Sequence, residues 1–292
     1  MIEVRAPGTV SLDYGPTQMV IQATGPGLPE TAAEDAARYA MTLIEELAAV
    51  KDIAARPQQT IGDTSVLPEV LRRMVTAVRL SGDADLTPMA AVAGTVADLT
   101  ADYLQKRGAA KVIVNNGGDI ALRLAEGCSA EVGVAPAIGT APTHILSLRA
   151  ADGIGGVATS GLGGRSFTKG IATAAVVAAK TAALADACAT SIGNATFAAH
   201  PAIKLVRAEA VDPLTDIAGH LVVGQVGPLP PEIVQEALLN GWRRAEECHR
   251  LGLIQGMALF IGNFGVMIPE NFAAPVNNIE IKEGLEWRFE KS

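Results

Sequence analysis

The sequence predicts an α+β protein, and three observations lead there. Short β-branched segments alternate irregularly with longer segments of helical periodicity, an order that fits no repeating βαβ scheme. Hydrophobic residues fill 49% of 292 positions but aromatics only 4%, so the core must be built from Ala, Val, Leu and Ile. Glycine occurs 30 times, enough for many turns and close backbone approaches. A chain of this length, read as one unit over 1–292, buries a substantial core and suits one large domain or two lobes.

The elements follow in order. Residues 1–28 read as two short strands around Tyr14-Gly15-Pro16, ending at Gly25-Pro26-Gly27. A helix is predicted over about 31–55, with Thr31 and Glu34 as a capping box and Ala36, Tyr39, Ala40, Leu43, Ile44 and Leu47 at helical spacing. After a polar loop at 57–65, a second helix covers 67–79, with Pro68 in its first turn and Leu71, Met74, Val75 and Val78 as its apolar stripe. Gly82 to Pro88 is a loop. A third helix, from Met89 to about Lys106, is crowded with Ala90, Ala91, Ala93, Gly94, Thr95 and Ala97. Such small residues permit close packing, against a sheet or against a ligand.

Lys111 to Val114 open a strand, and further short strands are expected at 119–124, 130–135 and 144–149. Ile171 to Ala179 reads as a buried strand and Thr181 to Ile192 as a helix. A strand near 220–226 then leads to a helix at about 231–251, opened by Pro230 and Pro231. The stretches 257–261 and 277–288 are expected to close the chain as strands.

Charge and motif content exclude several function classes. A formal net charge of −8 and a pI of about 5.1 argue against nonspecific nucleic-acid binding and, more weakly, against anionic membrane surfaces. Residues 1–20 contain Glu3, Arg5 and Asp13 and no continuous apolar stretch, so no secretory signal is legible. No uncharged apolar run is long enough to span a bilayer. Cys128, Cys188 and Cys248 form neither a CxxC pattern nor a disulfide framework, and the four histidines lack metal-ligand spacing. Reduced structural thiols and a cytoplasmic location are the expectation.

Three segments carry the chemistry. In KVIVNNGGD, 111–119, a strand runs into Asn115, Asn116, Gly117 and Gly118, with Asp119 at the exit. The turn reads either as a tight hairpin or as a place where a phosphate meets main-chain N–H groups. In Gly155 to Gly161, GGVATSG, glycines flank Thr159 and Ser160, and Arg165 follows. Hydroxyls, N–H groups and a guanidinium suit phosphate oxygens, although this is not a Walker motif, and a flexible surface loop is the other reading. In ALADACAT, Asp186 and Thr190 stand at i and i+4, on one face of a helix. A carboxylate and a hydroxyl suit a hard cation such as Mg²⁺, while an isolated pair of this kind also serves local capping.

VNNGGDI, GGVATSGLGGRSF and ALADACAT, in that order, resemble the ApbE-type FAD:protein FMN transferases, and more closely an uncharacterised cytoplasmic branch of that superfamily. TPMAAVAG, 87–94, points to the same branch. The resemblance is strongest over about 85–195. It implies a two-lobed, T-fold-related architecture of antiparallel or mixed sheets flanked by helices, with FAD held between the lobes. It further implies Mg²⁺ near the pyrophosphate and transfer of FMN to a Thr or Ser hydroxyl of a partner protein, leaving AMP. Carried over by position, Asp186 and Thr190 would be Mg²⁺ ligands, joined by a main-chain carbonyl near Val92. Asn116, Gly117, Gly118, Asp119, Thr159, Ser160 and Gly161 would border the nucleotide, and Asp186 with Arg165 would act in catalysis.

Two departures stand beside the resemblance. Ala93 occupies the place of the lysine in the family's GGIAKG-like segment, and Lys169-Gly170 runs directly into Ile171, without the family's His-Ile-Ile-Asp-Pro stretch. A protein that holds the flavin nucleotide without cleaving it is therefore the alternative, as is a different small-molecule enzyme with Asp119 or Asp186 as general base. A homodimer is compatible with the apolar composition.

Overall fold

The computed structural model describes residues 1–164 and 166–276. Arg165 and the strand expected at 277–288 lie outside the described residues. In chain order the strands are β1 (Ile2–Ala6), β2 (Thr9–Tyr14), β3 (Thr17–Thr24), β4 (Lys111–Asn116), β5 (Asp119–Leu124), β6 (Ser129–Val134), β7 (His144–Arg149), β8 (Gly156–Ser160), β9 (Ala174–Ala179), β10 (Ile203–Arg207), β11 (Leu221–Val226), β12 (Ile254–Ile261), β13 (Phe264–Ile268) and β14 (Ala274–Pro275). The helices are α1 (Ala32–Ala49), α2 (Lys51–Ala54), α3 (Glu69–Ser81), α4 (Val92–Gln105), α5 (Ala182–Ala195), α6 (Ala208–Val211) and α7 (Pro231–Arg250).

The fold is α+β. One nine-stranded sheet runs in the order β1-β2-β3-β4-β5-β8-β9-β12-β13, and the small sheets β14-β7-β6 and β10-β11 accompany it. Every strand pairing among the described residues is antiparallel, so of the antiparallel-or-mixed expectation the antiparallel half holds. On one face of the large sheet, α1, α3 and α4 pack over the N-terminal strands around Leu12, Ile21, Leu71, Met74 and Leu104. Further along that face, α5 and α7 pack around Ile192, Met257 and Leu259. The three-stranded sheet covers the opposite face behind Leu122, Leu148 and Phe260. Covered on both sides, β9 is buried at all six positions, AAVVAA; at the sheet's uncovered end β3 alternates strictly, with Met19 and Ile21 inside and Val20 and Gln22 outside.

Several local expectations change. The N-terminal segment holds three strands rather than two, because Gly8 turns the chain at φ +70° and makes room for β1. The 31–55 helix breaks at Val50 into α1 and α2. Its capping box does not form: Thr31 already has helical dihedrals, and its hydroxyl donates to Asp35 at 3.3 Å instead of capping the backbone. The 67–79 helix begins at Glu69 and ends on Gly82 in the left-handed region. The strand expected from Ile171 begins at Ala174, since the N–H groups of Ile171 and Ala172 are taken by the Thr196 hydroxyl.

The largest revision concerns 155–161. Over most of its length it is a strand and not a loop, because 156–160 form β8 in the middle of the large sheet. Its glycines serve contact with backbone. A Cβ on Gly155 would lie 2.3 Å from the Lys180 carbonyl oxygen, and one on Gly156 would lie 2.2 Å from the Ala182 nitrogen. Strands β10 and β13 have no counterpart in the sequence reading.

Candidate functional site

Helices α4 and α5 meet near their N-termini and exchange carboxylates. The residue before α4, Ala91, has no side chain that can cap it. Asp186, from the second turn of α5, supplies the cap in trans: its Oδ2 accepts the Gly94 N–H at 3.0 Å, and its carboxylate also accepts the Ala93 N–H. Asp98 of α4 returns the contact, its Oδ2 accepting the Ala183 N–H of α5 at 2.9 Å. Capping of this kind contributes about 1 kcal/mol per helix end, and carboxylates at both N-termini complement the helix dipoles. Such close approach requires Gly94, where a Cβ would sit 2.2 Å from the Ala182 carbonyl oxygen. Of the two uses open to small residues in this helix, close packing is the one Gly94 serves.

The asparagine-glycine turn arrives at the same place. Gly117 and Gly118 form a two-residue hairpin between β4 and β5, with φ of +70° and +113°, and Asn116 pairs across it with Asp119. Asn115 Oδ1 accepts the Gly118 N–H at 2.9 Å and fixes the turn. Asn116, only 5% exposed, donates its amide to the Ala93 carbonyl at 3.1 Å. Asp119 Oδ1 accepts the Thr159 N–H of β8 at 3.2 Å.

A closed circuit results. Thr159 holds Asp119, Asp119 lies within electrostatic range of Asp186, Asp186 holds Gly94 and Ala93, and Ala93 holds Asn116, which is paired with Asp119. Asp186 is partly exposed as a residue, yet its carboxyl group is enclosed by protein. Burial, and after it the negative charge of Asp119, push that carboxyl well above the usual carboxylate range, against the pull of the two N–H donors.

The other expected site residues spread outward. Thr190 lies one turn beyond Asp186 on α5, partly exposed. Val92 begins α4, next to Ala93. Ser160 is buried beside Gly193 of α5 rather than beside the carboxylates. Gly161 backs onto the Thr173 carbonyl oxygen, which a Cβ would approach to 2.8 Å. Among the described residues no group of three or more His, Cys, Asp or Glu side chains converges. No helix among them is long and apolar enough to cross a membrane.

Two sets of polar residues escaped the sequence reading. Arg123 of β5, with a side chain 14% exposed, reaches Asp98 at 3.0 Å and Asp102 at 2.7 Å, and Asp102 also receives Arg73 at 2.7 Å. The signal was a lone arginine inside the apolar strand DIALRL and two aspartates four apart in an alanine-rich helix. In the second set, Arg244 of α7 donates to Ser191 at 2.9 Å and Ser191 to Asp83 at 2.8 Å. Nothing local in the sequence joins residues this far apart.

The chain is thus an α+β protein whose α4–α5 junction gathers two carboxylates beside a glycine hairpin. Residues 3–271 match the family model described as AbpE bacteria, so the chain belongs to that family. Its curated relatives are UPF0280 proteins. The one from Methanosarcina acetivorans is 40% identical over 159 residues, covering 53% of this chain and 60% of the relative. The one from Methanobrevibacter smithii is 32% identical over 196 residues, covering 64% and 80%. Against the two Methanosarcina relatives the chain spans about three fifths of their length. Among solved structures, the apo flavinyl transferase ApbE of Pseudomonas stutzeri aligns at 16% identity and TM-score 0.47, over 66% of this chain and 83% of that one. The ApbE protein of Thermotoga maritima aligns at 13% identity and TM-score 0.49, over 89% and 95%.

Proposed function

We propose that this protein binds the flavin nucleotide FAD together with Mg²⁺ beside Asp119 and Asp186, and transfers FMN to a Thr or Ser hydroxyl of a partner protein. One observation carries the reading. Asp186 and the hairpin that carries Asp119 converge on the same stretch of backbone: Asp186 accepts the Gly94 N–H, Asn116 donates to the Ala93 carbonyl, and Asn116 is paired with Asp119, so two carboxylates from distant parts of the chain share one place. A structure gains nothing in stability from repulsion between them, whereas a divalent cation relieves it.

The donor set fits Mg²⁺. Carboxylate, hydroxyl and carbonyl oxygens are hard ligands, and Asp119, Asp186 and Thr190 supply the first two kinds. A carboxylate has about four lone-pair sites, so the two N–H groups of Gly94 and Ala93 do not exhaust the acceptor capacity of Asp186. When bound, Mg²⁺ supplies charge neutralisation at a pyrophosphate. The chain's own part is placement: Asp98 and Asp186 lock α4 against α5, and the hairpin sets Asp119 opposite. Family membership, together with the nucleotide that the motif resemblance implies, supports FAD.

A second reading, binding without cleavage, is favoured by Ala93, which offers no side-chain cation and gives its carbonyl to Asn116. Incubation with FAD and Mg²⁺, with AMP followed by chromatography, separates the two. The transferase reading expects AMP release that Asp186→Ala abolishes. Tight FAD binding without AMP assigns the carrier role, and a chain with no affinity for FAD refutes both.

A further inference from the structure

Along α5 every position is buried except Asp186, Thr190, Asn194 and the terminal Ala195. The first three are polar and stand at i, i+4 and i+8, so they form one stripe down the helix. Asp186 to Asn194 spans about 12 Å. At the Asn194 end lies a cavity of about 390 Å³, lined among others by Asp83, Asp85, Lys169, Ser191, Asn194 and Arg244. That volume falls in the range of small-molecule sites.

The cavity wall is held by hydrogen bonds from within the protein. Buried Gln58 donates to the Asp83 carbonyl at 2.5 Å, and Gln59 to the Ala84 carbonyl at 2.7 Å, which fixes the 82–85 loop. Ser191, 2% exposed, receives Arg244 and donates to Asp83. The mouth is looser: Lys169 reaches Asp85 at 3.3 Å, and the Asp85 side chain is 73% exposed. Asn194 Oδ1 is committed to the Lys169 N–H at 2.8 Å, so its NH₂ is the end that can serve a ligand. Two carboxylates face two cations, and the wall carries no net charge. Such a lining rejects a bare ion and suits an uncharged group with several donors and acceptors.

We infer that this cavity receives the heterocyclic ring of a nucleotide whose phosphates lie at the Asp119–Asp186 end of the stripe. The inference rests on the nucleotide reading above and adds to it: the ligand site is elongated, and its ring end is read by Asn194 and Lys169. Either ring of a flavin dinucleotide, the flavin or the adenine, offers this chemistry.

Calorimetry on the full chain tests the assignment, with FAD, FMN, ADP and inorganic pyrophosphate as probes, each with Mg²⁺. Lys169→Met leaves the backbone contacts intact, and Asn194→Leu removes the amide; thermal melts verify folding of both. The expected result is a loss of at least about tenfold in FAD affinity in both variants, with pyrophosphate affinity unchanged. Whichever of FMN or ADP shows the same loss is the ring-bearing half. Unchanged FAD affinity in folded Lys169→Met overturns the assignment and leaves the FAD reading standing. Equal weakening of pyrophosphate also overturns it. A wild-type chain that binds no FAD overturns both.

Discussion

Replacing Arg123 by methionine isolates the interaction that sets the α4–α5 junction. The guanidinium, 14% exposed, binds Asp98 and Asp102 and donates to the carbonyls of Leu122 at 2.8 Å and Gly155 at 3.1 Å. Asp102 keeps Arg73 after the change. Asp98, with a side chain 2% exposed, keeps only the backbone N–H groups at the start of α5. Burial already raises its pKa, with Arg123 as the chief opposing influence. Removing one partner of a buried pair costs about 3–5 kcal/mol. The two freed carbonyls add to that cost, and retained backbone donors subtract from it, so about 3–4 kcal/mol is expected. At about 2–4 °C per kcal/mol for a large domain, the melting temperature should fall by roughly 6–16 °C. Urea denaturation and calorimetry measure both quantities. Asp98→Asn in the Arg123→Met background should restore more than half of the loss, because a neutral amide oxygen still accepts the Ala183 N–H. A cost under about 1 kcal/mol, or no recovery in the double variant, refutes the account.

Gly94→Ala forces a methyl to 2.2 Å from the Ala182 carbonyl oxygen, backbone against backbone; a loss of about 2–3 kcal/mol and weaker Mg²⁺ binding should appear together in melts and titrations. Gly118→Ala meets no atom within 4 Å but must hold φ near +113°; urea titration should show only about 1–2 kcal/mol, all of it backbone strain. Asp102 has a folded pKa below its ordinary value, because its hydrogen bond to Arg73 and the charge of Arg123 outweigh burial. Its contribution is therefore full above about pH 4 and is lost as pH falls through the depressed value. Asp102→Asn should flatten the acid limb of a stability–pH curve and lower the plateau at neutral pH.

Much of the site was legible in pieces. The NNGGD turn announces itself because two adjacent glycines at positive φ leave few alternatives to a hairpin, and the structure forms that hairpin at Gly117 and Gly118. Asp186 and Thr190 were placed on one helical face by spacing alone. What spacing could not show is that Asp186 caps another helix, since Gly94 is 92 positions away. The 155–161 segment misled because glycines beside hydroxyls read as a loop, whereas a strand with backbone pressed against both neighbours requires the same glycines.

By itself, then, the sequence determined the α+β class, most helices and strands, the hairpin and the shared helical face of Asp186 and Thr190. These depend on local propensity, periodicity and turn chemistry, which act within about a dozen residues. Tertiary structure alone decided the meeting of Asp119 with Asp186, the exchange of caps between α4 and α5, the Arg123 network and the cavity at Asn194. Each joins groups tens to more than a hundred positions apart, and only the burial of a shared core brings such groups together.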